Sequence, residues 1–160
     1  MPYTLKVEGM DELTAMLSRA EDSAQGIAAA ALYDGAGVVA DEISKGARSV
    51  KTSPFKYASG WQRQPSPEEK EAIVSAGAAG IAKFRKTGNE LLTSVGYGRS
   101  GYAEINGKRK PVAVIANAIN SGTSFMKKQP FIRKAVSQSQ GRATDAIEQK
   151  ISEMVENMMK

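Results

Sequence analysis

From Pro130 to the C-terminus the chain reads as one long helix, and no other segment constrains its fold as much. In FIRKAVSQSQGRATDAIEQKISEMVENMM, Phe131, Ala135, Ala143, Ala146, Ile147, Ile151, Met154, Val155 and Met158 mark an apolar side that something must cover. Gly141 is the one candidate break within it. A second long helical region is expected from about Asp22 to Ser49, with Ile27, Ala31, Val38, Ile43 and Ala47 in a drifting stripe supported by Leu32 and Val39. Gly26, Gly35 and Gly37 each weaken a helix relative to alanine, so tight packing or a kink is expected there rather than a ligand. With 160 residues, 41% of them hydrophobic, the chain matches one ordinary domain able to bury a real core around these rods.

Shorter elements fill the interval. Tyr3, Leu5 and Val7 alternate as in a strand, and Met10 to Arg19 reads as a short helix with Leu13, Met16 and Leu17 on one face. Residues 50–66 read as a loop broken by Pro54, Gly60 and Pro65. Its aromatic residues Phe55, Tyr57 and Trp61 stand among Lys51, Lys56 and Arg63, which suits a protein interface, internal packing or base stacking. Ser66 then offers a cap, Pro67 the first helical position and Glu69 the reciprocal residue of a capping box. That helix is expected to run to about Phe84, with Ala72, Ile73, Ala76, Ala79, Gly80 and Phe84 on a narrow face. Glu90 to Tyr97 and Tyr102 to Ile105 read as strands, and Asn106-Gly107 is a strong turn signal. Lys108, Arg109 and Lys110 follow as a basic tip. Residues 111–119 suit a short buried helix as well as a strand, and Asn120 to Thr123 ends whichever forms. The fold class expected is α+β: a small antiparallel or mixed sheet packed by long helices, with a long C-terminal helix. One domain spans 1–160, with an inserted loop-helix segment at 51–86.

Charge is unevenly spread. Residues 1–44 carry two basic and eight acidic residues, and residues 45–134 carry seventeen basic and five acidic ones. Such a separation aligns subunits head to tail, places a basic surface near nucleic acid, or is simply solvated. No stretch is long and apolar enough to span a membrane, and the N-terminus lacks a signal peptide's apolar core, so residence in the cytoplasm is the default expectation.

Chemistry is excluded mainly by inventory. The chain has neither histidine nor cysteine, which removes Ser/His/Asp and Cys/His catalysis, disulfides and the common zinc sites. The pairs Asp11/Glu12, Asp41/Glu42 and Glu68/Glu69 are sequence neighbours on expected helices, and such neighbours do not face a common point. Gly96-Tyr97-Gly98-Arg99-Ser100-Gly101 has the spacing G-x-G-x-x-G, yet YAEI and an Asn-Gly turn follow it instead of a helix. A hairpin connection explains those glycines better than a dinucleotide does. No enzyme activity, cofactor or metal is expected.

Two stretches resemble a known family. Val7-Glu8-Gly9-Met10-Asp11-Glu12-Leu13 is similar to an opening v-x-G-l-d-e-L, and Gly122-Thr123 followed by Pro130-Phe131-Ile132-Arg133-Lys134-Ala135 is similar to E-x-G-T … P-F-x-x-P-A. Both patterns belong to the HK97 gp10-like family of tailed-phage tail-completion and head–tail joining proteins, and the resemblance spans roughly residues 5–137. Asn120-Ser121 stands where that family has an acidic residue, and Lys134 stands in place of its second proline. Its P-x-d-T-G-x-L segment is split here between Ser53-Pro54 and Thr87-Gly88-Asn89-Glu90-Leu91.

The resemblance implies a small structural protein of the virion neck or tail, made in the host cytoplasm. It implies a homo-oligomeric ring, a hexamer by analogy, that completes the tail and joins it to the head-side connector. Phage connector and tail proteins would be its partners, DNA would pass through its channel, and no membrane is involved. Pro130, Phe131 and Ile132 are then candidates for anchoring the terminal helix, Gly122 and Thr123 for shaping the turn before it, and Lys108, Arg109 and Lys110 for facing a partner or DNA. The alternative is a small basic nucleic-acid-binding accessory protein.

Overall fold

The computed structural model describes residues 3–5, 21–54, 62–75, 80–98 and 101–160, with the backbone alone for 3–5 and 21–23. In chain order the elements are β1 (Tyr3–Leu5), α1 (Glu21–Arg48), α2 (Pro67–Ser75), β2 (Gly80–Ile81), β3 (Arg85–Thr87), β4 (Glu90–Thr93), β5 (Val95–Gly96), β6 (Tyr102–Ile105), β7 (Lys108–Pro111), α3 (Val112–Ser121) and α4 (Phe131–Met159). β4 lies between β1 and β3, antiparallel to both, while β2 pairs with β5 and β6 with β7. The fold is α+β with small antiparallel sheets and a C-terminal helix of 29 residues. The expected helix at 10–19 lies outside the described residues.

By contacts the described chain divides into two compact units. Unit 1 comprises residues 1–39, 81–95 and 140–160, and unit 2 comprises residues 40–80 and 96–139. Both long helices are shared between them: residues 21–39 of α1 and 140–159 of α4 belong to unit 1, and the rest of each to unit 2.

In unit 1, residues 21–39 of α1 bury Ala24, Ile27, Ala28, Ala29, Ala31, Leu32, Ala36 and Val39, while α4 contributes Ala143 and Ile147. This is the stripe expected from the spacing, except that Val38 is only half-buried. Gly35 faces α4 closely, since a Cβ there would sit 2.5 Å from Ile147 Cδ1 and 3.0 Å from the Ala143 carbonyl oxygen. Tight packing therefore accounts for Gly35, and α1 passes through all three of its central glycines without a break. Gly141 does not divide α4 either; it is exposed and one glycine in a rod of this length is affordable.

The expected helix through Phe84 ends earlier. α2 is described only to Ser75, Gly80–Ile81 is a strand, and Arg85–Thr87 is β3. Phe84 gains a partner outside the helix. Its ring meets Tyr33 edge-on at 6.1 Å, and its N–H donates to the Tyr33 hydroxyl at 3.1 Å. β3 and β4 then close a two-residue hairpin at Gly88-Asn89, with Thr87 opposite Glu90 and Gly88 at φ 61°. A positive φ at the first central residue is what glycine supplies there. Thr93 donates through Oγ1 to the Ala82 carbonyl at 2.7 Å, tying β4 to the segment ahead of β3.

Unit 2 holds the second hairpin and the short helices. Asn106 (φ 52°) and Gly107 (φ 72°) are both left-handed, as a two-residue turn between right-twisted strands demands. β7 ends at Pro111 and α3 follows at once, so residues 112–119 are a helix, while Pro111 closes the strand. α3 buries Val112, Ile115, Ala116 and Ile119, packs against α2 and carries β7 on its start. Ala40, Ile43, Ala47, Val50, Ala72, Ile73, Ile105, Met126, Phe131 and Ala135 are the other buried apolar residues of this unit among the described ones.

Candidate interaction site

The segment from Ser121 to Phe131 crosses from α3 to α4 and is held in place along its whole length. Gly122 ends α3 with φ 76°, and its N–H donates to the Ala118 carbonyl at 2.9 Å. A Cβ there would lie 2.9 Å from Lys128 Cβ and 3.2 Å from its backbone, so the position requires glycine twice over. Thr123 Oγ1 accepts from the N–H groups of Phe125 and Met126 at 3.2 and 2.9 Å, a local turn built on one hydroxyl. Arg63 pairs in parallel with Met126: its N–H donates to the Phe125 carbonyl and its carbonyl accepts from the Lys127 N–H. Met126 is thereby buried, while Phe125 and Lys127 point the opposite way and are exposed.

Gln129 fastens the other end. Its Oε1 accepts from the Lys51 N–H at 2.9 Å, and its Nε2 donates to the Lys51 carbonyl and to Gln64 Oε1. The Gln129 N–H itself donates to the Ile119 carbonyl at 2.8 Å. Asn120, buried at the end of α3, accepts through Oδ1 from the N–H groups of Ile132 and Arg133, satisfying two first-turn donors of α4. Phe131 is buried and meets the Tyr97 ring edge-on at 6.4 Å, with the Gly46 backbone close behind it. Pro130 and Ile132 are half-buried beside it.

Ser66 and Glu69 form the expected capping box: the Glu69 N–H donates to Ser66 Oγ at 3.1 Å, and the Ser66 N–H donates to Glu69 Oε2 at 2.9 Å. The Glu69 carboxylate also takes two hydrogen bonds of 2.7 Å from the Arg63 guanidinium. Burial pushes the Glu69 carboxyl up, but the Arg63 hydrogen bonds, the Ser66 amide and the charges of Arg63 and Lys110 together hold it below the ordinary carboxylate range.

Lys108, Arg109 and Lys110 lie along β7 rather than on a loop tip, and all three are exposed. The Arg109 guanidinium stands 4.3 Å above the Tyr102 ring across the hairpin. Phe55, Tyr57 and Trp61 lie outside the described residues. Gly122, Thr123, Pro130, Phe131 and Ile132 therefore belong to one built joint in unit 2, and the three basic residues to the β6–β7 hairpin of the same unit.

A groove of about 330 Å³ opens beside the joint, lined by Ser49, Val50, Lys51, Gln64, the run from Lys127 to Phe131, and Lys134. Sequence reading does not single out this convergence of Lys51, Lys127, Lys128 and Lys134, because Lys51 lies far from the others along the chain. The adjacent pair Lys127-Lys128, between Phe125 and Phe131, is the one local signal for it. Among the described residues no group of His, Cys, Asp and Glu is placed to hold a metal ion. No helix described is long and apolar enough to cross a membrane.

No protein-family model matches the chain, and comparisons with curated proteins and with solved structures return no match.

Proposed function

We propose that this chain is a structural subunit of a tailed-phage neck or tail, assembling into a ring that completes the tail and joins it to the head-side connector. One observation carries the reading: the residues that resemble the family's G-T and P-F words are the ones that build the joint between α3 and α4. Gly122 is required by backbone angle and by space, and Phe131 fills the position where α4 begins. A joint of this kind fixes the direction of a 29-residue helix, which is the geometry a ring subunit presents identically to each neighbour. In this role no chemistry is performed, in keeping with a chain that has neither histidine nor cysteine.

Native mass spectrometry of the purified chain, alone and mixed with head-side connector protein, tests the proposal. A discrete closed oligomer, a hexamer by the family analogy, is the expected result. A species that stays monomeric at assembly concentrations under both conditions counts against it.

The second reading, a small basic nucleic-acid-binding protein, is favoured by the three exposed cationic side chains of β7. It predicts salt-sensitive DNA affinity that falls when Lys108, Arg109 and Lys110 are replaced together by glutamine.

A further inference from the structure

The lysine-lined groove of unit 2 has features that the ring reading leaves unused. Lys51, Lys127, Lys128 and Lys134 are all exposed, yet they converge on one depression whose lining contains no carboxylate. Among the described residues, none of these four lysines is paired with a carboxylate. Gln129 cannot answer their charge, because its amide is committed to Lys51 and Gln64. That same bonding holds the Lys51 backbone against the 127–130 segment, so the groove is preformed. Its floor is apolar where Val50, Pro130 and Phe131 contribute.

Two residues before Lys127 stands Phe125, 75% exposed and the most solvent-exposed aromatic side chain among the described residues. The bridge to Arg63 turns Phe125 and Lys127 to the same side of the segment. A flat apolar ring next to a row of cations, along a groove free of acidic groups, is the combination that tracks a phosphate backbone and stacks an unpaired base. A duplex would satisfy the lysines but leave Phe125 idle, since its bases are already stacked. An acidic polypeptide is the competing occupant, since aromatic residues also serve protein interfaces, and the polyglutamate arm of the test separates the two.

We propose that this groove binds the phosphate backbone of a single-stranded nucleic acid, with one base stacked on Phe125. The site is separate from the β6–β7 hairpin, and it stands whether or not the chain forms a ring.

The test is fluorescence anisotropy of the full chain with a labelled oligothymidylate of about 16 nucleotides, titrated across salt concentrations. Replacing Lys51, Lys127, Lys128 and Lys134 together by glutamine is expected to weaken binding at least tenfold. The same change should flatten the plot of log affinity against log salt by about 0.7 for each lysine removed. Phe125→Ala is expected to weaken binding of the single strand by roughly tenfold and to leave binding of a duplex of equal length unchanged.

Both variants alter exposed side chains, and a circular-dichroism melt confirms that each is folded. If the fourfold variant is not, Lys127→Glu alone is read in its place, with the same expected direction. The proposal is overturned if the hairpin replacement at Lys108, Arg109 and Lys110 costs more affinity than the groove replacement. It is also overturned if a polyglutamate of equal charge binds as tightly as the oligothymidylate with Phe125→Ala affecting neither, which would make the groove a site for acidic protein. Native mass spectrometry of the same variants keeps the two proposals apart, since loss of nucleic-acid binding with the oligomer intact leaves the ring reading standing.

Discussion

Glu69 sits where three demands meet: it closes the capping box of α2, receives both arms of Arg63, and is buried. Because its folded carboxyl binds a proton less readily than the unfolded one, the unfolded chain takes up more protons as the solution is acidified. Its contribution is therefore present above the unfolded value of about 4.3 and lost as pH falls through the lower folded value. The difference in melting temperature between the wild type and Glu69→Gln should shrink from pH 6 to pH 3, and a constant difference would contradict this account. Tyr97 behaves oppositely. Burial pushes its phenol up to about 12, and its hydroxyl donates to the Ile73 carbonyl at 3.0 Å. The neutral form is favoured by folding, so stability that is complete below about 10 is lost as pH rises toward 12. Tyr97→Phe should remove that alkaline loss at a cost of about 1 kcal/mol at neutral pH, measured by urea denaturation. The capping box was legible in Ser66-Pro67-Glu68-Glu69, because its partners are three residues apart. The Arg63 pair was not, since nothing in the spacing says which of several cations folds back onto Glu69.

At the scale of elements, the three central glycines of α1 look alike in sequence but stand in different surroundings. Gly35 lies under Ile147, whereas an added Cβ at Gly26 or Gly37 would meet nothing within 4 Å. Gly37→Ala should stabilise the protein by about 0.5–1 kcal/mol through helix propensity alone. Gly35→Ala gains the same propensity but forces buried Ile147 to move, an overpacking cost of about 1–3 kcal/mol, so it should be neutral to destabilising. Thermal melts of the two variants in parallel check the ordering, and equal stabilisation would mean that Ile147 yields freely. The long helices were legible because a stripe of apolar residues repeats over many turns, and the β6–β7 hairpin because Asn-Gly admits few other conformations. The β3–β4 hairpin is not legible in the sequence, although Gly88-Asn89 is also a two-residue turn. Ala-Gly-rich sequence ahead of it is compatible with helix until Phe84 is seen to pack on Tyr33, a tertiary contact that periodicity cannot register. In sequence, Gly122 and Thr123 stand out only by resemblance; their physical reasons, a positive φ and a hydroxyl-built turn, emerge only with the backbone.

For the whole molecule, the charge asymmetry visible along the chain becomes a difference between the two compact units. Unit 1 carries eight basic and eleven acidic residues, and unit 2 carries fourteen basic and six acidic ones. The segregation thus survives folding, although three separate stretches of chain make up unit 1. If subunits assemble as proposed, with the acidic unit of one copy meeting the basic unit of the next, the contact is charge-complementary and heterologous, which closes into a ring when the rotation permits. Exposed charges of this kind are screened over about 8 Å at 0.15 M ionic strength and over about 3 Å at 1 M. Raising salt from 0.05 to 1 M should therefore shift the oligomer toward smaller species in sedimentation velocity, chiefly by slowing association. Reversing Asp145 and Glu148 on the exposed side of α4 to lysine should do the same at low salt, because it makes unit 1 net basic. An oligomer indifferent to both changes would be held by apolar surface instead, and the exposed Met158 and Met159 at the end of α4 would then be the residues to replace first.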